Sequence, residues 1–229
     1  MQIAELELAV LDMAGTTVNE NGCVERAFVA GVLHVGGGAP DAQVLHAMRG
    51  RSKRDVFAAL LPTPEQASEA HAEFVRYLLD AVHKGALNAC AGAETTLRTL
   101  RAAGVRVCLI TGFDTEVQRA LMEHLGWTSL VDLALSPGGR IRGRPAPDLI
   151  FEAMLQLQPT GVQSVLVAGD TTNDLLSGYR AGVGTLVGVL GGAHSRAELA
   201  SAPHTHLADG IGQLLTAIAA PASVGHQGA

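Results

Sequence analysis

The chain has 229 residues, 48% of them hydrophobic and 17% charged, with a formal net charge of −6. That balance excludes wholesale disorder, and with no basic run the chain offers neither a nucleic-acid groove nor a surface for anionic membranes, which leaves a small-molecule ligand. The length suits one α/β domain plus a smaller insert.

The first predicted element is a strand over residues 6–12 that stops on Asp12 in LDMAGTTV, with Gly15 and two threonines supplying the turn. Asp12 therefore lies at the carboxyl end of a strand, the edge where open α/β sheets bind ligands. Capping of the next segment is the plainer alternative. From about Val24 to Gly85 the periodicity is helical, in VERAFVAGVLH, DAQVLHAMRG, SKRDVFAALL and TPEQASEAHAEFVRYLLDAVHKG. The last of these has Thr63 as N-cap, Pro64 at the first helical position and Gly85 at its end. GGGAP, residues 36–40, reads as a loop in this block, and linkers fall near 17–22 and 85–92.

After Gly92 helix and strand alternate. Helices are predicted over 94–103 and 114–125, from about Pro147, from Asp174 to Gly182, near 196–201 and in IGQLLTAIAA; strands are predicted over 105–111, 130–136, 164–170 and 185–190. The pattern predicts a parallel sheet, an α/β core of residues 1–18 and 90–229, and a helical domain of residues 19–89. The tail PASVGHQGA is expected to fray.

Cys23, Cys90 and Cys108 are odd in number and contain no CxxC pair, which reads as reduced thiols in a cytoplasmic protein. MQIAELELAV carries Glu5 and Glu7 where a secretory segment needs a basic start, and no apolar run approaches the ~20 residues of a membrane-spanning helix. Of the 16 Lys and Arg residues only Lys53 and Lys84 are lysine, so chemistry that demands a primary amine must use one of those two.

Asp12, Thr111 and Asp170 all fall at predicted strand ends, which converge on one crevice in a doubly wound sheet. In order, DMAGT (12–16), LITG (109–112), GRPAP (143–147) and AGDTTND (168–174) resemble the motif series of the haloacid dehalogenase superfamily. The resemblance implies a Rossmann-like parallel-sheet core with an inserted all-helical cap domain. It implies Asp12 as nucleophile, and Thr111 and Arg144 holding the phosphoryl group with Gly15, Thr16 and Gly112. It further implies Mg²⁺ bound by Asp12, the Ala14 carbonyl, Asp170 and Asp174. The residue types suit the reaction, because a carboxylate attacking a phosphoryl dianion needs a divalent cation and a guanidinium to offset the repulsion.

Most phosphatases of the superfamily carry a second aspartate, the general acid, where this chain has Ala14; such an acid is typically worth ~10²–10⁴-fold in rate. D-x-A-G-T together with Arg144 is similar to the phosphonoacetaldehyde hydrolase branch. That branch uses a cap lysine as a Schiff base, and MRGRSKRDV places Lys53 there. An iminium accepts the electrons of a broken C–P bond, so no acid is needed at position 14, and arginine cannot form one. Lys53 must be neutral to attack; a pKa moved from ~10.4 to about 8 corresponds to roughly 3 kcal/mol. The flanking Arg51 and Arg54, with desolvation, are expected to supply that shift. A solvated surface lysine is the plainer reading of Lys53 alone.

Where characterised members of the branch have a histidine after the lysine and an aromatic hydroxyl after Thr-Gly, this chain has Val56 and Phe113. TGFD and GAHSRAELASAPHTH are similar to a phosphonatase-like sister group, which leaves the natural substrate open. The resemblance implies a small phosphonate or phosphate as substrate and a homodimer joined through the caps. The rivals are a small-metabolite phosphatase, a dehalogenase, and a non-catalytic phosphometabolite-binding module. His204 and His206, an i, i+2 pair without acidic company, read as an exposed strand face, and DGIGQ as a helix-start turn.

Overall fold

A computed structural model of the chain describes residues 3–221. The first strand, β1 (Leu8–Asp12), is buried at all its positions. Alternation along the strand sends Leu8 and Val10 into one hydrophobic cluster and Ala9 and Leu11 into the other, so both faces of the sheet are covered.

After β1 the short strand β2 (Val18–Asn19) leads into four helices: α1 (Cys23–His34), α2 (Ala42–Ala47), α3 (Lys53–Leu60) and α4 (Pro64–His83). The chain returns through β3 (Asn88–Ala89), which pairs antiparallel with β2, Val18 opposite Ala89 and Asn19 opposite Asn88. Both ends of the helical insert therefore leave the sheet as one ribbon. Inside it, the rings of Phe28, Phe57 and Phe74 pack at centroid separations of 4.7 to 5.7 Å, which ties α1, α3 and α4 together. Thr63 caps α4 by accepting from the Gln66 N–H, with Pro64 in the first turn, as the sequence predicts.

The remaining elements alternate: α5 (Ala93–Ala102), β4 (Arg106–Ile110), α6 (Thr115–His124), β5 (Leu133–Leu135), α7 (Asp148–Leu157), β6 (Val165–Gly169), α8 (Thr172–Ala181), β7 (Thr185–Val189), α9 (Arg196–Ser201), β8 (His206–Ala208) and α10 (Leu214–Ala219). Among the described residues the main sheet has six strands in the order β5-β4-β1-β6-β7-β8, every pair parallel. This is the Rossmann-like α/β architecture expected from the sequence.

Three details differ from the sequence reading. The strand expected over 130–136 shrinks to β5 because the chain turns first: the Leu130 N–H donates to the Trp127 carbonyl at 2.9 Å. The helix expected from Asp174 begins at Thr172, since Thr171 and Asp174 form a capping box. His206 is not on an exposed face; it lies buried in β8 opposite Val187, with Nε2 3.3 Å from the Ala220 carbonyl beyond α10. The tail predicted to fray lies, from residue 222 on, outside the described residues. Among them no helix is long and apolar enough to cross a membrane, and all three cysteines are free thiols.

Candidate active site

Register builds the site. Asp12 sits opposite Ile110 on β4, and Leu11 opposite Ala168 on β6, so Asp12, Thr111 and Asp170 emerge side by side at the carboxyl edge of three adjacent strands. Asp174 joins them from the first turn of α8, where its Oδ2 accepts from the Thr171 N–H at 3.0 Å and the Thr171 hydroxyl at 2.5 Å. Gly169 makes room for it, because a Cβ there would lie 2.2 Å from the Asp174 carboxyl carbon.

Arg144, from the loop before α7, is 2% exposed and donates to Asp12 Oδ1 at 2.5 Å and to Asp174 Oδ1. Thr16 bridges the other side, its hydroxyl 3.2 Å from Asp12 Oδ2 and 3.1 Å from Asp170 Oδ1. The Ala193 N–H donates to Asp170 Oδ2 at 2.6 Å. Gly15, at φ +91°, presses directly on Asp170: a Cβ there would lie 2.2 Å from Asp170 Oδ2. The Thr111 hydroxyl accepts from the Phe113 N–H at 3.1 Å.

Lys53 reaches this group from the insert. It starts α3, is 7% exposed, and lines one small chamber with Asp12, Ala14, Thr111, Gly112, Arg144 and Asp170. Its Nζ donates to the Arg51 carbonyl at 3.3 Å and lies 5.3 Å from the Phe113 ring centre. Burial, and after it the positive charge of Arg144, lowers the amine to about 8; Arg49 adds to this. The flanking Arg51 and Arg54 are not the cause expected from the sequence. Arg51 offers its carbonyl, and Arg54 turns outward toward Asp114 at 3.5 Å.

Asp12, Asp170 and Asp174 bring ligand oxygens within 4.8 Å of one another, all buried. Burial pushes the Asp12 carboxyl well up, Arg144 opposing and the other two carboxylates reinforcing. Asp170 is raised to about 6 by burial and by Asp174. Arg144 pairs with Asp12 and Asp174, and among the described residues no cation forms an ion pair with Asp170, so the cluster is short of directly contacting positive charge.

Several contributors carry no sequence signal of their own. Arg49 shares the chamber and is held by Glu20 at 2.7 Å; its carbonyl accepts from Asn173 Nδ2 at 2.6 Å. His71 and Asp114 lie 2.6 Å apart across the insert and core, and His71 with Arg54 holds the Asp114 carboxyl low against the burial that raises it. His46 of α2 reaches Glu198 of α9 at 2.7 Å. Only a contact between distant segments distinguishes these residues.

The family model of the haloacid dehalogenase-like hydrolases matches residues 9–188, which hold all four motifs. The chain belongs to that family. As a haloacid dehalogenase-like protein it is a hydrolase. It is 25% identical over 216 residues to the "Probable phosphatase IndB" of Dickeya dadantii, covering 92% of each chain. It is 24% identical over 204 residues to a phosphonoacetaldehyde hydrolase of Bacillus cereus, covering 82% of this chain and 77% of that one. The crystal structure of a hydrolase from Pseudomonas syringae superposes with a TM-score of 0.82 at 20% identity, over 93% of this chain and 98% of that one. In this hydrolase the oxygen-only donor set and the charge deficit fit a hard divalent cation.

Proposed function

We propose that the protein is a Mg²⁺-dependent phosphonatase-like hydrolase that cleaves the C–P bond of phosphonoacetaldehyde or a related carbonyl phosphonate. The observation that carries this reading is Lys53: a buried amine lowered to about 8 in the same chamber as Asp12, where Ala14 offers no general acid. Residues 19–89 then act as a cap that delivers the lysine to a core of residues 1–18 and 90–229.

The neutral Lys53 amine adds to the substrate carbonyl and loses water, leaving an iminium. Asp12 attacks phosphorus, and the C–P electron pair moves into the iminium to give an enamine. Water cleaves the aspartyl phosphate, and the enamine takes a proton and is hydrolysed from Lys53. Arg144 offsets the phosphoryl charge, and its buried Nε has no hydrogen-bond partner among the described residues, so that N–H is available to an anionic oxygen. Thr111 and Gly112 border the same space. Asp12, the Ala14 carbonyl and Asp170 would hold Mg²⁺, with Asp174 behind them, and the ion supplies Lewis-acid charge at the phosphoryl oxygens.

Borohydride tests the reading. With phosphonoacetaldehyde present it is expected to attach the substrate's two-carbon fragment to Lys53 and stop turnover, and Lys53→Arg is expected to be as inactive as Lys53→Ala. The resemblance to a named phosphatase supplies the alternative, a small-metabolite phosphatase. Phosphate release from esters only, with near-normal turnover in Lys53→Arg, would establish that instead.

A further inference from the structure

Beside the catalytic chamber lies a second, larger cavity of about 220 Å³ inside the helical insert. The chamber itself measures about 20 Å³ with the insert closed on the core, so a phosphoryl group enters it only as the insert opens. Val24, Arg49 and Lys53 line both, so the two spaces meet at the lysine. The walls of the larger cavity are otherwise Phe28, Ala42 and Leu45, with Glu25 and His46 at its polar side. Lys53 Nζ lies 5.8 Å from the centre of the Phe28 ring, so the amine faces this wall.

We infer that this cavity receives a neutral, mainly apolar substituent on the substrate carbonyl, which makes the preferred substrates 2-oxoalkylphosphonates rather than the bare two-carbon aldehyde. The inference rests on the Schiff-base reading of Lys53. A substituent on the carbon bonded to Nζ has the phosphoryl arm on one side and Phe28 with Leu45 on the other. At about 30 Å³ per water-sized unit, 220 Å³ takes a chain of roughly five to seven non-hydrogen atoms. The cavity's polar groups are already matched: Arg49 by Glu20 at 2.7 Å and Glu25 at 3.8 Å, His46 by Glu198 at 2.7 Å. With no surplus cation to hold a carboxylate, a neutral chain is favoured over an anionic one.

The chemistry balances as before. The ketone and Lys53 condense with loss of water, the C–P electron pair enters the ketiminium, phosphorus passes to Asp12, and two hydrolyses release phosphate and a methyl ketone.

Phosphate release is measured for phosphonoacetaldehyde and for 2-oxopropyl through 2-oxoheptylphosphonate, with phosphate esters as a comparison set. The expected result is a kcat/KM rising about fourfold per added methylene, the value of burying one CH₂, until the cavity is filled. Ala42 is exposed and lines the cavity, so Ala42→Trp is expected to leave the fold intact, which its melting temperature checks. It is expected to cut the longer ketones at least tenfold while changing phosphonoacetaldehyde less than threefold. A kcat/KM that falls with every added carbon overturns the inference and leaves the phosphonatase reading standing. Equal loss for short and long substrates in Ala42→Trp also overturns it, because the cavity is then an access route. Turnover of esters with none of any carbonyl phosphonate overturns both readings.

Discussion

The backbone N–H of Lys53 donates to the carbonyl of Gly112 at 3.2 Å. One residue begins a helix of the insert, and the other ends the strand–turn that carries Thr111. The approach depends on small side chains. A Cβ on Gly112 would lie 2.3 Å from the Arg51 carbonyl oxygen, and one on Gly143 would lie 2.9 Å from the Ser52 nitrogen. The insert is closed on the core, and the closure places the lysine.

Gly112→Ala is expected to hold the insert off the core without disturbing the sheet. Turnover should fall at least tenfold, and trypsin should cut between residues 49 and 54 faster than in the native chain. Unchanged cleavage and unchanged turnover would show that closure does not depend on this contact.

Lys53 should make the protein less stable than it need be. Its amine falls from 10.5 to about 8 on folding, a difference of roughly 3 kcal/mol against the charged form. Below pH 8 both folded and unfolded chains are protonated and the full cost applies; between pH 8 and 10.5 only the unfolded chain holds the proton, so native stability rises with pH. Lys53→Met is therefore expected to be up to ~3 kcal/mol more stable at pH 7 in urea unfolding, with the advantage fading toward pH 10.5. A constant difference across that range would contradict a buried, shifted lysine.

The same shift sets a pH dependence for the chemistry. The neutral-amine fraction drops tenfold for each pH unit below about 8. Borohydride trapping in single-turnover mixing should rise with unit slope up to that pH and then level. A flat profile from pH 6 to 9 would mean that Lys53 does not act as a free amine.

Arg144 compensates Asp12 and Asp174. Removing one partner of a buried ionic group typically costs ~3–5 kcal/mol, so Arg144→Ala should lose about that much in denaturant unfolding. Mg²⁺ should recover part of the loss, since it supplies charge to the same oxygens. Equal destabilisation with and without Mg²⁺ would place the ion elsewhere.

Metal binding should be visible without any substrate. At about 100 times its Kd, Mg²⁺ is expected to add ~2.7 kcal/mol to native stability, seen as a raised melting temperature, and chelation should stop turnover. Asp170→Asn should abolish most of the thermal gain. A gain that survives this substitution would remove Asp170 from the ligand set.

Much of the fold could be read from the chain alone because its signals are local. Apolar runs ending on Asp12 and Asp170 state a strand and its carboxyl end within seven residues. Thr63, Pro64 and Gly85 mark both ends of a helix by the backbone groups they satisfy or release. Ala14 and Lys53 stand out as residue types, one missing an acid and the other one of two amines in an arginine-rich chain. At His206–Ala208 the sequence suggests a strand face but not that it is buried, since three residues are too short for a period and their burial comes from α10 and β7.

The tertiary structure decided what surrounds those residues. Arg49 looks like any basic residue in MRGRSKRDV, yet folding ties it to Glu20, 29 positions away, and its carbonyl to Asn173, 124 positions away. The sequence leads one to expect a Lys53 amine lowered by desolvation and by Arg51 and Arg54; burial does lower it, but the charge that joins burial is that of Arg144, 91 positions later. Side chains adjacent along a helix point in different directions, so Arg54, next to Lys53 in α3, leads away to Asp114 while a distant guanidinium converges. Residue type and strand ends belong to the sequence. Desolvation and charge depend on distances in space, which only the folded chain sets.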